Sequence, residues 1–218
     1  MKNHLVADVA IVLVGGPSSR MGEPKALFEV NGKPMLISVM ESLHLSGINR
    51  AILSFKNKDQ ATDIIDKLGF EIIDKSYYFH NIPIPFYLVF DNEFSQSNNS
   101  AVTGMLSPVV FAIQQGWDTV QITPCDTPFL EPSLPRLLFS KLSSKYNCAV
   151  PISHNGIEPL LICSRTKPLY ISLQNEMEAA TQVIAEMKCI EVGPEEWIAE
   201  GISELSFINV NSKDEIND

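Results

Sequence analysis

Two rhythms of apolar and polar positions alternate along this chain. Residues 9–14, VAIVLV, form an unbroken apolar run of the kind shown by a parallel strand covered on both faces. Over residues 34–45, Met35, Leu36, Val39, Met40 and Leu43 recur at helical spacing, and Gly47 stands just beyond as a stop. The same alternation then predicts a strand at 50–55, a helix at 59–68 closed by Gly69, and a strand at 86–90, FYLVF. A polar stretch, DNEFSQSNNS, fills 91–100. Beyond it the pattern predicts a helix at 103–115, a strand at 118–123, a helix at 134–143 and a strand at 149–152. Residues 158–164 read as another strand, and 206–210 as a last one.

Alternating strands and helices predict an α/β fold: a single-domain three-layer α/β/α architecture over residues 1–218, Rossmann-like, with a mostly parallel sheet. In such sheets ligands sit beyond the carboxyl ends of the strands. Three polar clusters of this chain follow predicted strand ends, at residues 15–25, 91–100 and 125–127.

Composition narrows the chemistry. The 26 acids against 16 Lys and Arg give a net charge of −10, which argues against a nucleic-acid partner, since phosphate backbones are met by a basic face. It leaves room for a small anionic ligand held by a few local cations. Cys125, Cys148, Cys163 and Cys189 form no C-x-x-C pair, so reduced thiols are expected rather than zinc or disulfides. The apolar run near the N-terminus is broken by Asp8 and is too short to span a bilayer. No membrane partner, a cytoplasmic location and a monomer are the expectations.

The segment VLVGGPSSRMGEPKAL, residues 12–27, leaves the first strand through two glycines and at once offers Arg20 and Lys25. Glycines let backbone approach a ligand closely, successive N–H groups can cup phosphate oxygens, and the two cations would add charge. The spacing matches neither G-x-x-x-x-G-K-[ST] nor G-x-G-x-x-G. Asp126, in CDTPFL, follows the 118–123 strand; it could place a hard cation or simply cap the next helix.

The string GGPSSRMGEPKAL resembles the G-G-x-S-x-R-M-G-x-x-K signature of nucleotidyltransferases that build nucleotide-linked cofactors, and within them the molybdenum cofactor guanylyltransferases, the MobA-like group. NGKPML at 31–36, CDTPF at 125–129 and the NVN of FINVNSKDEI at 207–216 resemble later segments of that family. The resemblance implies a sheet of the nucleotide-diphospho-sugar transferase type and transfer of GMP from GTP to molybdopterin, with Mg²⁺ as cofactor and pyrophosphate released. It implies a nucleotide-binding stretch of Leu13, Val14, Gly15 and Gly16, with Lys25 holding the triphosphate. Arg20 would stabilise the departing pyrophosphate and Asp126 would place Mg²⁺. Asp91 would read the guanine edge, where a carboxylate can accept two hydrogen bonds. Asn209 and Asn211 would orient the acceptor phosphate or metal-bound waters, and IEPLLICSR at 157–165 would line the acceptor side. In SAVTGML, at 100–106, only Gly104 and the Met-Leu after it keep the family's pattern, and Ser54 stands where relatives carry an Asn near the base. Ser54 is therefore not counted among the site residues. Pro24 before Lys25 is more like the sister cytidylyltransferases. A CTP-using enzyme, another small-acceptor nucleotidyltransferase and a non-catalytic nucleotide-binding homologue are the competing readings.

Overall fold

The computed structural model describes residues 6–16, 23–91, 101–175 and 177–211. Its first strand, β1 (Val9–Leu13), is the centre of a ten-stranded sheet. The chain turns through a short hairpin, β2 (Glu29–Val30) and β3 (Lys33–Pro34), into helix α1 (Met35–Ser46). Asn31 and Gly32 make that hairpin turn with φ of 53° and 73°, and Gly47 ends α1 at φ 99°. Next come β4 (Ala51–Phe55), α2 (Lys58–Leu68), a hairpin of β5 (Phe70–Ile73) and β6 (Ser76–Phe79), and β7 (Phe86–Phe90). Helix α2 opens at Asn57, whose side chain accepts from the Gln60 N–H, so the expected start at 59 moves back one residue.

Helix α3 (Ala101–Gln114) carries Pro108 inside it and leads to β8 (Thr119–Pro124). Helix α4 (Ser133–Ser140), β9 (Cys148–Ser153), β10 (Gly156–Ile157), β11 (Cys163–Arg165), α5 (Thr166–Leu173), α6 (Ala180–Ala185), β12 (Cys189–Val192) and α7 (Pro194–Ala199) complete the order. Two strand expectations change. The 158–164 strand shrinks to β11, preceded by a turn. Residues 206–210 are not a strand, because Glu204–Phe207 winds into a 3₁₀ turn and pairs with no neighbour in the sheet.

The strand order is β10-β9-β11-β8-β1-β4-β7-β6-β5, with β12 beside β9. Strands β8, β1, β4 and β7 run parallel, while β11 lies antiparallel between β8 and β9. Alternate residues of β1 explain the layers. Ala10 and Val12 pack with α1, α2, α4 and Trp197 of α7, whereas Val9 and Ile11 pack with α3, α5 and α6. From β1 the chain proceeds to β4 and β7 on one side, then returns to β8 on the other. The order therefore reverses between β1 and β8, and such a reversal opens a crevice at the strands' carboxyl ends.

Candidate active site

At that reversal the backbones of β1 and β8 are locked together: the Cys125 N–H donates to the Leu13 carbonyl at 3.1 Å. On the other flank the Val14 N–H donates to the Ser54 carbonyl at 2.8 Å. Leu13, Val14 and Gly15 are thus held between the ends of β4 and β8. Gly15 is required by close approach. A Cβ there would stand 3.0 Å from the Lys56 nitrogen and 3.3 Å from Asp91 Oδ2. Gly16 is exposed, with open space where a side chain would project.

Lys25 begins a 3₁₀ turn, Lys25–Leu27, which buries Ala26 in the core and leaves the lysine facing the crevice end. Its Nζ donates to Asp126 Oδ2 at 2.6 Å and to Asn211 Oδ1 at 2.5 Å. The Lys25 and Asp126 side chains are only 19% and 15% exposed, so this ion pair is partly shielded from water. Three segments far apart in the chain meet at one ammonium group. The C-terminal segment is fastened there by its backbone, since the Val210 N–H donates to the Asp126 carbonyl at 2.9 Å. Asn211 Nδ2 in turn donates to the Asn209 carbonyl at 3.0 Å, and Asn209 itself is exposed.

Asp126 is not a helix cap. Helix α4 starts at Ser133, and the intervening Thr127 hydroxyl donates back to the Pro124 carbonyl at 3.0 Å to close a turn. Burial and the neighbouring Asp126 charge push the Cys125 thiol well above its ordinary range, so Cys125 is an inert packing residue.

Asp91 follows β7, three strand spacings from β8, or about 14 Å across the sheet. Its Oδ1 lies 3.3 Å from Ser54 Oγ, and the Ser107 hydroxyl donates to its carbonyl at 3.5 Å. Burial raises the Asp91 carboxyl above its ordinary 3.8, against the opposing pull of the Ser54 hydrogen bond and the Lys56 charge. Sequence reading does not count Ser54, Lys56 or Gly104 among the site residues, yet they surround this carboxylate. A small polar residue at the carboxyl end of a buried parallel strand was the available signal.

Arg20 lies outside the described residues, as do 92–100 and the FINVNSKDEI segment from position 212 on. The 157–165 segment meets the sheet through β11, and its Glu158 accepts from the Ser153 hydroxyl at 2.5 Å. Among the described residues no cluster of three or more His, Cys, Asp or Glu forms a protein-only metal cage. The donors that do converge at the Lys25 corner are oxygens, Asp126 Oδ2 and Asn211 Oδ1, and they already surround a cation, the Lys25 ammonium. That donor chemistry fits Mg²⁺, which takes one or two carboxylates and completes its shell with phosphates and water. Nor is any described helix long and apolar enough to cross a membrane.

A family model described as the MobA-like NTP transferase domain matches residues 10–190, from β1 into β12. The chain belongs to this family. Among curated proteins it is similar to probable molybdenum cofactor guanylyltransferases of Bacillus cereus and Bacillus anthracis. They are 26% and 27% identical over 208 residues, covering 94% of this chain and 92% of each relative. Among solved structures it resembles molybdopterin-guanine dinucleotide biosynthesis protein A of Archaeoglobus fulgidus. The TM-score is 0.70 at 17% identity, over 95% of this chain and 94% of the other. It also resembles the 4-diphosphocytidyl-2C-methyl-D-erythritol synthase of Anaerococcus prevotii, with a TM-score of 0.61 at 14% identity, over 95% and 94%. The fold is thus shared with proteins whose named products differ, and membership of the MobA-like NTP transferase family makes this chain a nucleotidyltransferase.

Proposed function

We propose that this protein transfers GMP from GTP to the phosphate of molybdopterin, releasing pyrophosphate and leaving a guanine dinucleotide cofactor. The observation that carries the reading is the meeting of Lys25, Asp126 and Asn211 at the β1/β8 reversal, with Asp91 three strands away. This arrangement separates a cationic end, suited to phosphates, from a carboxylate end, suited to a base with two adjacent N–H donors.

The acceptor phosphate oxygen attacks the α-phosphorus as the bond to the β-phosphate oxygen breaks, and the electron pair leaves with pyrophosphate. The protein's task is alignment and charge neutralisation. The Gly15 and Gly16 backbone supports the triphosphate, Lys25 neutralises charge on it, and Asp126 and Asn211 hold the cation and the acceptor end in register. Bound at Asp126, Mg²⁺ would offset charge on the phosphate oxygens. Arg20 is assigned to the departing pyrophosphate and Asn209 to the acceptor side. A cytoplasmic monomer is part of the same reading.

Nucleotide-dependent thermal stabilisation tests it. A ligand bound only by the folded state raises the melting temperature according to its affinity. GTP with Mg²⁺ should give the largest shift of the four nucleoside triphosphates. A larger shift with CTP would favour a cytidylyltransferase, and no shift with any of them would contradict nucleotide transfer.

A further inference from the structure

Pro108 sits inside α3 and has no N–H to give to the residue four positions earlier, Gly104. The Gly104 carbonyl therefore lacks its helical donor. Ser54, buried at the end of β4, supplies a replacement: its hydroxyl donates to that carbonyl at 2.7 Å. The same hydroxyl proton is shared with Asp91 Oδ1, a weaker second acceptor 3.3 Å from Oγ, while the other oxygen, Oδ2, stands 3.3 Å from where a Cβ on Gly15 would be. Gly104 adds no bulk here, and a Cβ on it would come within 3.8 Å of Asp91 Oδ1. The carboxylate is thus confined between Ser54 and the helix on one side and the first loop on the other. Its backbone is held too, by the Ser107 hydroxyl one turn along α3.

We propose that Ser54 is a positioning residue for nucleobase selection, its hydroxyl fixing the Asp91 carboxylate against the Gly104 carbonyl of α3. The proposal rests on the reading of Asp91 as the group that contacts the base. Ser54 itself acts through Asp91 and needs no contact with the nucleotide. A serine bonded to a proline-freed carbonyl has its Oγ held beside Asp91. The helix break at Pro108 and the serine at 54 therefore work as one device, which aims the carboxylate by fixing its neighbour.

The test is a double-mutant cycle on nucleotide affinity, measured by calorimetry with GTP and CTP in the presence of Mg²⁺. Ser54→Ala should lower the ratio of the two affinities by about 3- to 10-fold, the range expected for loss of one hydrogen bond. Asp91→Ala should lower it at least as far, and the double variant should match Asp91→Ala alone. Ser54→Thr, which keeps the hydroxyl, should restore most of the ratio. General loosening of the fold would weaken both nucleotides equally and leave the ratio unchanged, which would overturn the proposal. Additive effects of the two substitutions would also overturn it, with Asp91 still the base reader. If Asp91→Ala itself leaves the ratio untouched, the base assignment of Asp91 fails and takes the role of Ser54 with it.

Discussion

Lys25 Nζ lies 2.6 Å from Asp126 Oδ2, joining the loop after the first strand to the turn after the eighth. Both residues stand beside the strand reversal, so the ion pair marks the point where the sheet's two halves diverge. An oxygen that holds an ammonium at this distance is the same oxygen that a divalent cation would use. On the proposed reading Lys25 and Mg²⁺ would compete for Asp126, and a triphosphate that drew Lys25 away would favour the metal. Lys25→Met should bind Mn²⁺ more tightly than the unaltered protein when no nucleotide is present, as read by electron paramagnetic resonance. Equal or weaker binding would contradict the competition.

On the proposed reading, turnover depends on the same pair. Removal of one transition-state charge contact of this kind costs on the order of 10²- to 10³-fold in rate. Asp126→Asn is expected to lose that much in kcat for pyrophosphate release while keeping its melting temperature within a few degrees. Near-normal turnover would remove Asp126 from the chemistry.

The raised Asp91 carboxyl has a sign that can be checked. Because the folded state titrates above the ordinary 3.8, it holds a proton that the unfolded chain has already lost over the interval between the two. Stability from this group is lost as pH rises through that interval and is absent at neutral pH. Asp91→Asn should therefore raise the melting temperature at pH 7, with the gain disappearing toward pH 3. The same substitution should weaken GTP binding at pH 7, since the ionised form offers the two acceptors. Thermal melts across pH and a GTP titration would settle both signs.

Gly15 provides a steric test. A methyl group there meets the Lys56 backbone nitrogen at 3.0 Å, and backbone cannot swing aside as a side-chain tip would. Gly15→Ala should cost about 1–3 kcal/mol of stability through overpacking. It should also displace Asp91, whose Oδ2 is 3.3 Å from the new atom, and so weaken nucleotide binding, whereas Gly16→Ala projects into open space and should be nearly silent in stability.

The central part of the fold was legible because its residues obey one rule each. The 9–14 run is apolar on both faces and is buried on both, and Met35, Leu36, Val39, Met40 and Leu43 all point into one layer or its border. The edges were less legible. Phe70–Phe79 is a hairpin whose turn residues, Asp74 and Lys75, adopt φ of 48° and 66°; this tight turn is not signalled by an Asn-Gly pair. The Asn31-Gly32 pair did signal one, but within a motif read for chemistry rather than for its turn. Residues 206–210 alternate like a strand, yet the Val210 N–H is taken by Asp126 rather than by a sheet neighbour.

At the site, Lys25, Asp126 and Asn211 could each be singled out from local motifs, but no spacing in the chain says that they share one ion-pair corner. Ser54 was set aside because it stands where relatives carry an Asn; its bond to a carbonyl freed by a proline in a distant helix is written in no local motif.

One measurement bears most directly on the central claim: incubation of the full-length protein with GTP, Mg²⁺ and molybdopterin, following pyrophosphate and the dinucleotide product together. The account predicts that both appear in equal amounts, that both need the acceptor, and that GTP is preferred over CTP. Pyrophosphate without dinucleotide, preference for CTP, or no product under conditions where GTP binds would contradict it.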